Sequence, residues 1–173
     1  MFVGREDELN QLGALWNKVT KTSLVTVRGR RRIGKSTLIE HFAQKSGAEF
    51  LKVEGLSPKT ARSNQDQLKS FYSQLQLRSG KSYVVTDWLK AFKDLDDEIV
   101  DDRRMVVLID EISWMGRYDK GFPGLLKIAW DNFFHRHPNL ILFFCGSVSS
   151  WIRENILCAR EFPAQRWLVR DSA

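Results

Sequence analysis

The chain has 173 residues, of which 43% are hydrophobic and 28% charged, with a formal net charge of +6. These values describe one ordinary globular domain, long enough to bury a sizeable core and only mildly basic. No apolar run is long enough to span a bilayer, the start of the chain lacks the apolar core of a signal peptide, and no Cys/His spacing suggests zinc.

Phe2 to Leu9 opens a first helix, in which Leu9, Leu12, Leu15, Trp16 and Val19 recur at helical spacing. Glu6, Asp7 and Glu8 suit its positive N-terminal end. Lys18 to Thr22 is a polar turn, and Leu24 to Arg28 reads as a buried strand. Directly behind it stands Gly29-Arg30-Arg31-Arg32-Ile33-Gly34-Lys35-Ser36-Thr37, which matches the phosphate-binding pattern G-x-x-x-x-G-K-[ST] without a mismatch. A helix follows, with Leu38, Ile39, Phe42 and Ala43 on one face and a stop at Ser46-Gly47.

Strand, tight loop and helix are the context this pattern needs. Gly29 and Gly34 let the loop wrap with its N–H groups inward. Those groups and the positive helix end form an anion site. Lys35 is expected at the β- and γ-phosphates, Ser36 on a magnesium ion and Thr37 at the α-phosphate. Three of the arginines sit in this loop, where a triphosphate explains them; a nucleic-acid partner is compatible with the remaining charge.

Glu49 to Glu54 reads as a second strand and Gly55 to Pro58 as a loop. A helix carrying Leu68, Phe71, Tyr72 and Leu75 comes next, then a turn over 78–82, then a helix carrying Trp88, Leu89, Phe92, Leu95 and Ile99. The charge-rich stretch Asp94 to Asp102 reads as a solvated face and loop. Met105 to Glu111 reads as an apolar strand ending in two acids, Asp110 and Glu111. With the phosphate loop upstream, Asp110 is expected to bind Mg²⁺ at the carboxyl end of a parallel sheet, and Glu111 to polarise the attacking water.

Ser113 to Gly124 reads as a loop whose Trp114, Met115, Tyr118 and Phe122 fit either an interaction surface or half-buried packing. Pro123 suits the first turn of a helix that presents Leu126, Ala129, Trp130, Phe133 and Phe134. His135 and His137 have no evident partner acid and read as a helix end rather than a metal site. Leu140 to Cys145 is a fully buried strand, with Cys145 a core thiol. Ser147 at its end fits a place beside the γ-phosphate or a simple helix cap. A helix with Trp151, Ile152 and Ile156 follows.

Four segments in this order, Phe2-Val3-Gly4-Arg5 with Glu8-Leu9, the loop Gly29 to Thr37, the strand Val106 to Glu111 and Leu140 to Ser147, resemble the archaeal-type ATPase family. This is a branch of the STAND/AAA+-like P-loop ATPases. The resemblance implies an ATPase core over residues 1–157, a three-layer α/β sandwich with parallel strand order 5-1-4-3-2, and ATP with Mg²⁺ as ligands. It places Val3, Gly4 and Arg5 against the adenine and makes the strand ending at Ser147 a sensor-type strand inserted between the loop strand and the acidic strand. Residues 158–173 depart from the family's continuation into a lid domain and read as the tail of a truncated core, with Gln165 to Arg170 a candidate short edge strand. The implied activity is ATP hydrolysis, alone or with a protein partner or second copy, and the lack of a signal-like start makes the cytoplasm the expected compartment. A nucleotide-binding switch or remnant with little turnover is the alternative. A small-molecule kinase is disfavoured, because a glutamate after the magnesium acid suits water activation.

Overall fold

The structure, a computed structural model, describes residues 5–29, 34–147, 149–157, 162 and 166–167. The chain order is α1 (Glu6–Trp16), β1 (Ser23–Arg28), α2 (Lys35–Ser46), β2 (Glu49–Glu54), α3 (Asn64–Ser79), α4 (Trp88–Asp96), β3 (Met105–Asp110), α5 (Ile112–Met115), α6 (Phe122–Asn132), β4 (Leu140–Gly146), α7 (Ser149–Ile152) and β5 (Arg166–Trp167). The five strands form one sheet in the order β2-β3-β4-β1-β5, which is 5-1-4-3-2 read from the other edge. Every pairing is parallel.

Central strands of a parallel sheet are covered on both faces, so their residues are apolar at every position. β3 and β4 are buried along their whole lengths. Alternate residues then build two cores. Leu51, Val53, Val107, Ile109, Leu142 and Phe144 pack under α3, α4 and α6, with Phe71, Trp88, Phe92 and Phe122 meeting there mostly edge to face. Val25, Val27, Val106, Leu108, Ile141 and Phe143 pack under α1 and α2 on the opposite face. Each such buried side chain contributes on the order of 1.5–3 kcal/mol, so both faces must be covered for the sheet to persist.

Of the expected edge strand Gln165 to Arg170, Arg166–Trp167 form β5, parallel to Val25 and Thr26 of β1, and the other four residues lie outside the described residues. Four sequence readings change, the last of them at His137. Residues 112–118 form a helical turn and a 3₁₀ turn rather than an open loop, and Met115 and Phe122 belong to the core. The helix that starts at Trp88 ends at Asp96, and Ile99 is buried beyond it. The stretch 94–102 is not simply solvated, since Asp94 and Asp96 are buried. Asp94 accepts from the Tyr72 hydroxyl at 3.0 Å and pairs with Lys90. Asp96 meets Lys93, Arg136 and His137. These cations and donors lie on other elements or one helical turn away, where charge runs alone do not reveal them.

His137 therefore has two partner acids. Its Nε2 lies 2.7 Å from Asp96 Oδ1 and its Nδ1 2.7 Å from Asp101 Oδ1. Two carboxylates served by both ring nitrogens require both to carry hydrogen, which is the imidazolium. Burial works against that charge, and the two hydrogen bonds and the carboxylate charges outweigh it, so the His137 pKa is raised. This clamp sits at the start of β3 and β4, away from the phosphate loop.

Candidate active site

In an open parallel α/β sheet the ligand crevice lies at the carboxyl ends of the strands. The ends of β1, β3 and β4 are level here, with Arg28 opposite Gly146 and Ile109 opposite Phe144. Four of the expected site residues meet in two pairs at this edge.

Gly34 precedes α2 with φ 77°, a left-handed conformation that favours glycine, and so turns the chain from loop to helix. Lys35, 6% exposed, donates from Nζ to the Gly29 carbonyl at 2.8 Å, which folds its ammonium back over the loop. Ser36, one residue on, donates from Oγ to Asp110 Oδ2. Thr37 lies on the first turn of α2 and is exposed. Asp110 also accepts from the Glu111 N–H at 2.9 Å through Oδ1. Hydroxyl and carboxylate thus share one point beside the loop. They are a hard-oxygen donor pair suited to Mg²⁺, which keeps most of its waters and needs only one or two protein ligands. Among the described residues no group of three or more His, Cys, Asp and Glu gathers to hold a metal.

Glu111 has φ 48°, the one positive φ among the described non-glycine residues. A left-handed glutamate is strained by about 1–3 kcal/mol, a sign that the surroundings over-determine it. Its side chain is buried, and Oε2 accepts from Ser147 N–H at 3.2 Å and Ser147 Oγ at 2.8 Å. Ser147 therefore neither caps the next helix through this bond nor stands alone. It fixes the carboxylate across the β3–β4 junction. Gly55 lies against the same junction, donating to the Asp110 carbonyl at 2.9 Å, and a Cβ there would come within 2.4 Å of the Glu111 carbonyl oxygen. Cys145 is buried beneath the site, and burial, with the Asp110 charge next, pushes its thiol pKa up, so it stays protonated.

Lys52 is the site-edge residue that sequence reasoning missed. Its Nζ is 3.5 Å from Asp110 Oδ2. The one signal was a lysine in the interior of β2, two residues from Phe50 and from Glu54 and so on one face with them. Arg5 caps the start of α1 through its backbone, its carbonyl accepting from Leu9 N–H at 3.1 Å. Val3, Gly4, Arg30, Arg31, Arg32 and Ile33 lie outside the described residues, as does Cys158.

A three-layer parallel sandwich with a glycine-lysine-serine turn at the β1–α2 junction and an acid at the end of the β3 strand defines the P-loop nucleotide-binding class. Residues 2–165 match the family described as an ATPase domain predominantly from Archaea, and the chain belongs to that family. A 44-residue stretch, 25% of this chain and 73% of the relative, is 46% identical to an uncharacterised ATP-binding protein of Methanocaldococcus jannaschii. Among solved structures, a Walker-type ATPase of Pyrococcus abyssi matches 96% of this chain with TM-score 0.61 and 18% identity. The Aeropyrum pernix ORC2 protein, solved in ADPNP–ADP complexes, matches 96% with TM-score 0.62 and 17% identity. The same organism's ORC1 protein, solved with DNA, matches 98% with TM-score 0.56 and 13% identity. The chain spans 53%, 48% and 46% of those three proteins. No helix among the described residues is long and apolar enough to cross a membrane.

Proposed function

We propose that the chain binds ATP with Mg²⁺ at the edge formed by Lys35, Ser36, Asp110, Glu111 and Ser147, and hydrolyses it to ADP and phosphate. The observation that carries this is the convergence, on adjacent strand ends, of the Ser36–Asp110 pair and the Ser147–Glu111 pair. Membership of an ATPase family and likeness to an ATP-binding relative support the choice of nucleotide.

The roles follow from chemistry. Lys35 leaves the Gly29 carbonyl for the β- and γ-phosphates, where its charge offsets the charge that develops in the transition state. Ser36 and Asp110 would hold the magnesium ion, which supplies further neutralisation of the phosphate oxygens when bound. Glu111 orients a water toward the γ-phosphate and takes up its proton. Ser147 holds the Glu111 carboxylate and lies where the γ-phosphate is expected. Gly29 to Thr37 wrap the phosphates, and Val3, Gly4 and Arg5 are proposed against the adenine.

The test is a set of variants read by nucleotide binding and phosphate release, with and without Mg²⁺. Lys35→Ala is expected to lose binding almost entirely. Glu111→Gln is expected to keep binding and lose about 10²–10⁴-fold in turnover, the usual worth of a general base. Asp110→Asn is expected to lose the magnesium dependence of binding. Unchanged affinity in Lys35→Ala overturns the site.

A second reading, a nucleotide-binding switch with little hydrolysis, is favoured by one contact: the Glu111 carboxylate is already engaged by two Ser147 donors. Tight binding beside undetectable turnover in the unaltered protein selects it.

A further inference from the structure

Lys52 belongs to neither the phosphate loop nor the acidic strand, yet three carboxylates surround its ammonium. Nζ lies 3.5 Å from Asp110 Oδ2, 3.5 Å from Glu54 Oε2 and 3.7 Å from Glu40 Oε1. The three differ in one respect. The Asp110 side chain is 5% exposed, whereas those of Glu40 and Glu54 are each 47% exposed. Register explains the reach: Lys52 pairs with Leu108 and Glu54 with Asp110, so Lys52 lies two residues below Asp110 on the face covered by α2. Its four-carbon stem runs up that face while Glu40 approaches from α2 itself.

A buried carboxylate that awaits a metal needs a positive neighbour in the meantime, since an uncompensated buried charge strongly destabilises a fold. We propose that Lys52 is the counter-cation of Asp110 while the site is without metal, and that it withdraws to Glu40 and Glu54 when Mg²⁺ takes the Asp110 carboxylate. Lys52 is then a positioning residue that sets how much Mg²⁺ nucleotide binding requires. The two exposed glutamates lower the barrier to exchange, because the ammonium never leaves negative partners as it moves. The inference rests on the reading of Asp110 as the magnesium acid.

The experiment holds a fluorescent ATP analogue at fixed concentration and titrates Mg²⁺, reading the Mg²⁺ midpoint for nucleotide binding. Lys52→Met removes the charge, keeps most of the stem and takes away the competing cation. Its midpoint is expected to fall by roughly three- to tenfold, the size of one partly screened charge contact. The double variant Glu40→Gln with Glu54→Gln leaves Asp110 as the remaining carboxylate beside Lys52 and is expected to raise the midpoint by about threefold or more. A purely structural lysine would not move the two in opposite directions. A Lys52→Met midpoint that stays within about twofold of the unaltered protein, or rises, overturns the proposal. Should Lys52→Met fail to fold, the double variant decides, because its changes lie on half-exposed side chains; an unchanged or lowered midpoint there is equally fatal. Nucleotide binding by the unaltered protein that ignores Mg²⁺ overturns the Asp110 reading itself, a result distinct from unshifted variants.

Discussion

Glu111 and Ser147 show how a single contact ties backbone strain to chemistry. The left-handed glutamate turns its carboxylate back across the end of β4, where the Ser147 hydroxyl and N–H both donate to it. Ser147→Ala removes the 2.8 Å donor and leaves the N–H. One hydrogen bond to a charged group is worth about 1.5–3 kcal/mol, so turnover is expected to drop by about 10- to 100-fold. ATP affinity is expected to fall by less than turnover, because Lys35 and the loop are not touched. Single-turnover phosphate release beside a binding titration checks this. A loss of affinity equal to the loss of turnover would mean that Ser147 acts on the ground state.

At the scale of elements, the end of β2 sets where the β3–α5 junction lies. Gly55 extends the β2–β3 ladder by its N–H, and the Glu111 carbonyl, Trp114 Cβ and Met115 N–H crowd the space where a side chain would begin. Two of these three neighbours are backbone atoms, which yield only if the elements move apart. Gly55→Ala is therefore expected to destabilise the fold by about 1–3 kcal/mol, as overpacking does. The displaced group is the peptide of Glu111, so turnover should fall more than nucleotide affinity. Urea unfolding and paired kinetics measure both, and an alanine variant with unaltered stability would show that the junction is looser than these distances imply.

Across the whole molecule, the two ends of the sheet divide the work. The carboxyl ends of the strands gather the groups proposed to meet the nucleotide, while the opposite end is tied by His137 between Asp96 and Asp101, with Arg136 and Lys93 also facing Asp96 at 3.5 Å. The Thr22 hydroxyl adds a bond to the His137 carbonyl at 3.3 Å. Burial raises the Asp96 pKa, and His137, Lys93 and Arg136 together outweigh it, so the net direction is down. The His137 pKa moves up. A raised histidine pKa stabilises the fold fully below its unfolded value of about 6.5, and that stability is lost as pH climbs through the folded value. A lowered aspartate pKa stabilises above about 3.9, and that part is lost as pH falls through its folded value. The clamp thus contributes most between about pH 4 and pH 6.5. His137→Gln is expected to lose about 2–3 kcal/mol at about pH 6 and less at about pH 9. Nucleotide affinity should not change, since the clamp is at the far end of the strands. Urea melts at both pH values test it, and an equal loss at each would remove the ionic part of the account.

The architecture and the glycine-lysine-serine pattern at the β1–α2 junction were legible in the residues because both are local. A strand covered on both faces must be apolar throughout, so 105–110 and 140–146 announce themselves as buried runs. The glycine-lysine-serine loop needs its residue types within a few positions of one another. The polar contacts that finish the site and the clamp are not local. Ser147 meets Glu111 from 36 residues away and His137 meets Asp96 from 41. Lys52 finds Asp110 only because β2 lies beside β3 in that register. A charged residue's pattern reports whether water is near it in its own element, and says nothing of which charge another element brings to it. Asp96 and Lys52 are therefore ordinary surface charges in the sequence, and only the packing of crossovers against the sheet makes one a buried anchor and the other a neighbour of the proposed metal site.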